Sequence, residues 1–142
     1  MTEFNYKCMI KKVKKIPKNA VRNGNTITEV QYFSKIRSML RNGFRYWKPL
    51  QLALEKSSRP SQSINKRIKK EYKCKACRNW FKRADVEIDH VIPCGSLNNY
   101  EDIVPFIKNL SSENLDNYQI LCKPCHLIKT NIEKSNRKNK KI

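Results

Sequence analysis

In the run EIDHVIPCG (87–95) a carboxylate, Asp89, stands beside one of only two histidines in the chain, His90; the other, His126, directly follows Cys125. One carboxylate and one imidazole brought together from separate elements make a sparse divalent-ion site. Such a site keeps coordination positions open, as a catalytic cation needs and a structural one avoids. Four of the six cysteines form two Cys-x-x-Cys pairs, Cys74/Cys77 and Cys122/Cys125. A two-residue gap lets both thiolates of a pair address one ion, and two pairs complete a tetrahedral four-cysteine zinc site with no open position. That site is structural. It ties the chain around residue 74 to the chain around residue 122, and the length of the loop between them adds little cost, because closure entropy grows slowly with length. Cys8 and Cys94 fall outside this spacing and read as small, partly buried residues.

These side chains need elements to position them. Ala84–Ile92 alternates apolar and acidic residues as a strand does, and Pro93 and Gly95 break it just after His90. On an unbroken strand Asp89 and His90 would point to opposite faces; at a breaking one they can serve neighbouring positions. Tyr118–Leu121 reads as a second short strand, and Cys125 onward as a helix. Successive helix residues differ in direction by about 100°, so Cys125 can face the zinc while His126 faces the other site. Asn99–Leu110 has helical texture, with Pro105 kinking it or confining the helix to the residues after it. The stretch Leu97–Leu110 therefore makes a long insertion between the two strands.

Upstream, Thr28 and Gln31 match a capping box, and Val30, Phe33, Ile36 and Leu40 recur at helical spacing up to Gly43. A second short helix starts near Pro49 and runs through Leu50, Ala53 and Leu54 to the breaker run SSRPSQS (57–63), read as a linker. Between the helices, FRYWKP (44–49) interleaves aromatics with bases. Either it is a platform on which Arg45 and Lys48 meet DNA phosphates, or its aromatics fill the gap between two helices. The expected organisation is a basic N-terminal arm and helical DNA-binding appendage over 1–63, a metal-bearing domain over 64–133, and a basic disordered tail over 134–142.

The net charge is +19 on 142 residues, which points to a polyanionic partner, most simply nucleic acid. It is unevenly spread. From Ala84 to Asn117 seven acids face one base, Lys108, so that segment can hold a cation while the remainder holds phosphates. No stretch is apolar enough to span a bilayer, and no signal-peptide core is visible, so a membrane partner is not expected. Six cysteines in a chain without a leader point to the reducing cytoplasm and to metal binding over disulfides.

The run CxxC…EIDHVIPCGS…DNYQILCKPCHLIKT resembles the HNH endonuclease family, in the zinc-stapled form common in phages; the likeness covers about residues 70–132. FRYWKP and NKRIKKEY, the latter carrying Lys66, Arg67 and Lys69, also look like the upstream region of such proteins. The resemblance implies an α+β fold: a ββα-metal (His-Me) finger stapled by the four-cysteine zinc site, with the N-terminal helices appended. It implies a metal-dependent DNA endonuclease that leaves 5′-phosphate and 3′-hydroxyl ends. Asp89 and His126 would hold Mg2+ or Mn2+, which offsets the charge developing on the phosphate. His90 would be the general base, and Asn117 the middle Asn, orienting His90 or fixing the loop. Lys129, one turn from His126, would contact phosphate. Many relatives carry a second His one turn further along the helix; here that position is Thr130, leaving two protein ligands plus water, with Asn117 nearby. The same resemblance implies DNA as partner, phage packaging proteins as a further one, and the host cytoplasm as the location. The alternative is a zinc-stapled DNA-binding or packaging accessory protein with little catalysis.

Overall fold

A computed structural model describes residues 15–139. Residues 1–14, which include Cys8 and the start of the basic arm, and residues 140–142 lie outside the described residues. The described chain is α+β, with the elements in the order α1 (Glu29–Gly43), α2 (Lys48–Lys56), β1 (Ser58–Pro60), β2 (Lys70–Lys73), β3 (Trp80–Lys82), β4 (Val86–His90), α3 (Ile103–Leu110), β5 (Tyr118–Cys122) and α4 (Lys123–Asn139). They form an antiparallel three-stranded sheet, β1-β2-β3, and an antiparallel pair, β4-β5.

The capping box forms: Gln31 N–H donates to Thr28 Oγ1 at 3.2 Å, and Thr28 N–H to Gln31 Oε1 at 2.8 Å. Such a cap stabilises a helix by about 1 kcal/mol. In α1, Phe33 is buried and Ile36 and Leu40 pack beside it, but Val30, in the first turn, is exposed. The partner of α1 is the long insertion: Phe33 clusters with Cys94, Leu97, Phe106 and Leu110. The insertion is thus a folded unit with α3 at its end. Pro105 is the third residue of α3, where its missing N–H is one that no helical carbonyl would have paired with, so the helix is not broken.

Helix α2 lies on the β4-β5 pair through Leu50 and Ala53 against Tyr118, and through Leu54 against Val86 and Ile120. The FRYWKP alternatives divide residue by residue. Phe44 and Trp47 pack edge to face at 5.4 Å, and Trp47 Nε1–H donates to Ser112 O, whereas Tyr46 is 80% exposed, with Arg45 and Lys48 exposed beside it.

Two expectations differ from the fold. Ser58–Pro60, within the run read as a linker, is an edge strand of the sheet, with Ser58 opposite Tyr72 and Pro60 opposite Lys70. An edge strand tolerates Pro because one of its sides needs no backbone donor, and Arg59 secures it through Glu71 at 3.0 Å. At the other end α4 runs on to Asn139, through basic residues whose composition suggested a disordered tail. Nothing after Pro124 is a Pro or Gly that would stop it.

Candidate functional site

The two Cys-x-x-Cys pairs converge. One metal-binding atom from each of Cys74, Cys77, Cys122 and Cys125 lies within 4.8 Å of every other, and Cys77 Sγ is 3.9 Å from Cys122 Sγ. Zn–S bonds of about 2.3 Å in a tetrahedron require sulfur spacings of about 3.8 Å, so the four residues fit a zinc ion. Two elements bring them together. Cys74 and Cys77 bracket the turn between β2 and β3; Cys122 ends β5, and Cys125 lies in the first turn of α4. Burial works against a thiolate at Cys74, but N–H groups of Cys122, Cys77 and Ala76 outweigh it and bring the thiol down to about 6. Cys125 is pushed up to about 12 by its hydrogen bond with Cys122 and by burial.

The second site stands at the far end of β4. In the β4-β5 pair Asp89 is opposite Gln119 and His90 opposite Tyr118. Gln119 Nε2–H donates to Asp89 Oδ2 at 2.9 Å, leaving Oδ1 turned towards His126 Nε2 on α4 at 3.7 Å. That spacing exceeds a hydrogen bond and is below the sum of two metal–ligand bonds of about 2.1 Å, so the pair fits one shared divalent ion as a two-ligand site.

His90 is half-buried, its ring edge-on to Tyr118 at 4.9 Å. Its Nε2 lies 3.1 Å from the Leu110 carbonyl. A carbonyl only accepts, so Nε2 carries the proton and Nδ1 keeps the lone pair. Burial holds the imidazole below its ordinary range, although the Leu110 carbonyl and Asp89 pull the other way. His90 is therefore a neutral ring with a fixed tautomer at pH 7.

Asn117 fastens the loop after β4. Its carbonyl accepts from Val91 N–H at 2.8 Å and its Oδ1 from Ile92 N–H at 2.9 Å. Of the two tasks considered for it, the loop-fixing one has the contacts. Gly95, at φ 89, then turns the chain in the left-handed region open to glycine.

Asp89, His90, His126 and Lys129 line one cavity of about 570 Å³, with Arg41 and Arg137 at its walls. Lys129, read from the sequence as a phosphate contact, lines this cavity and is also held by three acceptors within the chain. Its ammonium donates to Asp89 Oδ2 at 2.9 Å, to the His90 carbonyl at 3.0 Å, and to Glu133 one turn on. Arg45, Lys48, Lys66, Arg67 and Lys69 do not line this cavity.

Compared with models of protein families, with curated proteins and with solved structures, the chain gives no match.

Sequence reasoning missed Leu110, Gln119 and Glu133. Leu110 acts through its backbone, which carries no side-chain signal. Gln119 and Glu133 were findable: one is the cross-strand neighbour of Asp89, and the other stands four residues after Lys129 on the same helix face. Among the described residues no helix is long and apolar enough to cross a membrane.

Proposed function

We propose that the chain is a metal-dependent DNA endonuclease of the HNH type. In this reading β4, β5 and α4 are its ββα-metal finger, and the four-cysteine cluster is a structural zinc site. One observation carries the reading. At the end of β4, Asp89 faces His126 across 3.7 Å, while the Leu110 carbonyl takes up Nε2 of the adjacent His90 and leaves Nδ1 as the acceptor, and all three side chains line one cavity.

Asp89 and His126 would hold the divalent ion, Mg2+ or Mn2+, which supplies charge stabilisation at the scissile phosphate. His90 accepts the proton of the attacking water at Nδ1, and the Leu110 carbonyl stabilises the imidazolium that forms. Asn117 keeps the β4 loop in place, and with it the ring's approach. The basic surface, including Arg45, Lys48, Lys66, Arg67 and Lys69, supplies affinity for duplex DNA without reading its sequence. Cleavage by this route leaves 5′-phosphate and 3′-hydroxyl ends. A phage origin and a place beside packaging proteins in a host cytoplasm fit the resemblance to zinc-stapled phage enzymes.

A second reading, a zinc-stapled DNA-binding protein with little catalysis, is favoured by the contact of Lys129 with Asp89, which gives the carboxylate a cation of its own. Supercoiled plasmid incubated with Mg2+ or Mn2+, with and without chelator, separates the two. The endonuclease relaxes or linearises it only with the ion, and the new ends accept ligase without prior phosphorylation. Plasmid that stays supercoiled with every divalent ion but is still bound supports the second reading.

A further inference from the structure

Gln119, the cross-strand partner of Asp89, lines a second cavity, of about 520 Å³, whose wall carries Lys56, Lys73, Lys75, Arg78 and Trp80. Four cations line it and one acid, Asp116, whose carboxylate lies 4.0 Å from Lys56. All four bases are exposed. The charge is therefore unbalanced within the described residues, and an anion entering the cavity meets it directly.

The backbone adds a second observation. Arg78 follows Cys77 in the β2-β3 turn and has φ 65, in the left-handed region that favours glycine. The turn demands that conformation: Arg78 N–H donates to the Cys74 carbonyl at 3.0 Å, and Cys74 N–H to the Asn79 carbonyl at 2.9 Å. A glycine would satisfy the turn without strain. What a glycine lacks is the guanidinium that Arg78 presents to the cavity, a group that suits phosphate through its fork of donors.

The aromatic at the wall is also arranged around cations. Arg59 stacks on the Trp80 ring at 3.9 Å, and Lys73 stands 5.7 Å from its centroid. One residue links the cavity to the proposed active site, since Gln119 lines it and also donates to Asp89.

We infer that this face of the cysteine knuckle is a binding site for the sugar-phosphate backbone of DNA, with Arg78 as its central contact and Lys56, Lys73 and Lys75 around it. Its ligand class rests on the DNA reading above; its location rests on the cavity and the strained arginine. The site grips backbone, so it adds affinity evenly across sequences and holds the duplex at a fixed distance from Asp89.

The test is the anisotropy of a short labelled DNA duplex titrated with full-length protein at several salt concentrations, without divalent ion so that nothing is cut. Arg78→Gly is expected to keep the metal content and to melt at or above the wild-type temperature, because strain is relieved. Its affinity should fall severalfold, with a salt dependence shallower by about one counterion. Lys56→Ala with Lys73→Ala, which leaves the turn untouched, should lose affinity in the same way. Wild-type affinity and salt slope in both variants would overturn the site while leaving the DNA reading intact. A wild type that binds no duplex at low salt overturns both.

Discussion

Lys129 Nζ lies 2.9 Å from Asp89 Oδ2, so the carboxylate assigned to a divalent ion already carries a protein ammonium. Both side chains are mostly shielded, at 25% and 16% exposure, so solvent screens the pair only in part. A divalent ion bound as proposed would share Asp89 with that charge. Lys129→Met is therefore expected to bind Mn2+ more tightly, by about tenfold, equivalent to about 1.4 kcal/mol. Titration calorimetry of Mn2+ into zinc-loaded protein checks it; an unchanged or weaker affinity means that Lys129 does not compete with the ion.

The four clustered thiols carry a stability prediction. One tightly bound zinc per chain is expected by metal analysis, because the sulfur spacing suits a tetrahedral ion. Cys122→Ser should lose it, be destabilised by roughly several kcal/mol and melt at a markedly lower temperature, since the site joins the β2-β3 turn to the start of α4. Retained zinc with an unchanged melting temperature would show that the cluster is not a metal site.

The edge strand β1 depends on a carboxylate. Arg59 and Ser61 hold Glu71 ionised, with its carboxyl below the usual glutamate range. A carboxyl lowered in the folded state adds stability that is present above its unfolded value of 4.5 and is lost as pH falls through the folded value. Glu71→Gln should thus be less stable than wild type at pH 7, with the difference closing on acidification below 4.5. Thermal melts of both proteins from neutral to acidic pH show whether the curves converge.

Phe106 links the N-terminal helix to His90, the proposed base. It is fully buried among Phe33, Leu97 and Leu110, and the Leu110 carbonyl holds His90. Phe106→Ala is expected to cost about 3–5 kcal/mol in urea denaturation. Zinc binding should survive, because no cluster cysteine packs in that core.

Much of this site could be read directly from residue types. The cysteine spacing predicts the cluster, and the Thr28–Gln31 cap and the β4 and β5 patterns predict elements that form with nearly those bounds. The breaking strand after Asp89-His90 was legible from Pro93 and Gly95. The features that stayed hidden depend on backbone or on tertiary pairing. Leu97–Leu110 reads only as a long insertion, yet it folds onto α1 and supplies the carbonyl that fixes the tautomer of His90. Ser58–Pro60 reads as a linker because Ser and Pro signal breaks, while its pairing with β2 comes from elsewhere in the chain. Lys129 reads as a phosphate contact because position on a helix face does not reveal that three acceptors surround it. Cys94 proved to be packing: it is buried in the α1 core, and burial pushes its thiol up.

The central claim is that His90 is the base of a metal-dependent DNA cleavage. Supercoiled plasmid with Mn2+, incubated with wild type and with His90→Ala at matched zinc content and matched DNA affinity, tests it most directly. Wild type should convert the plasmid to open or linear forms, chelator should stop it, and the variant should be slower by about two orders of magnitude or more. Equal cleavage by the two proteins would contradict the account.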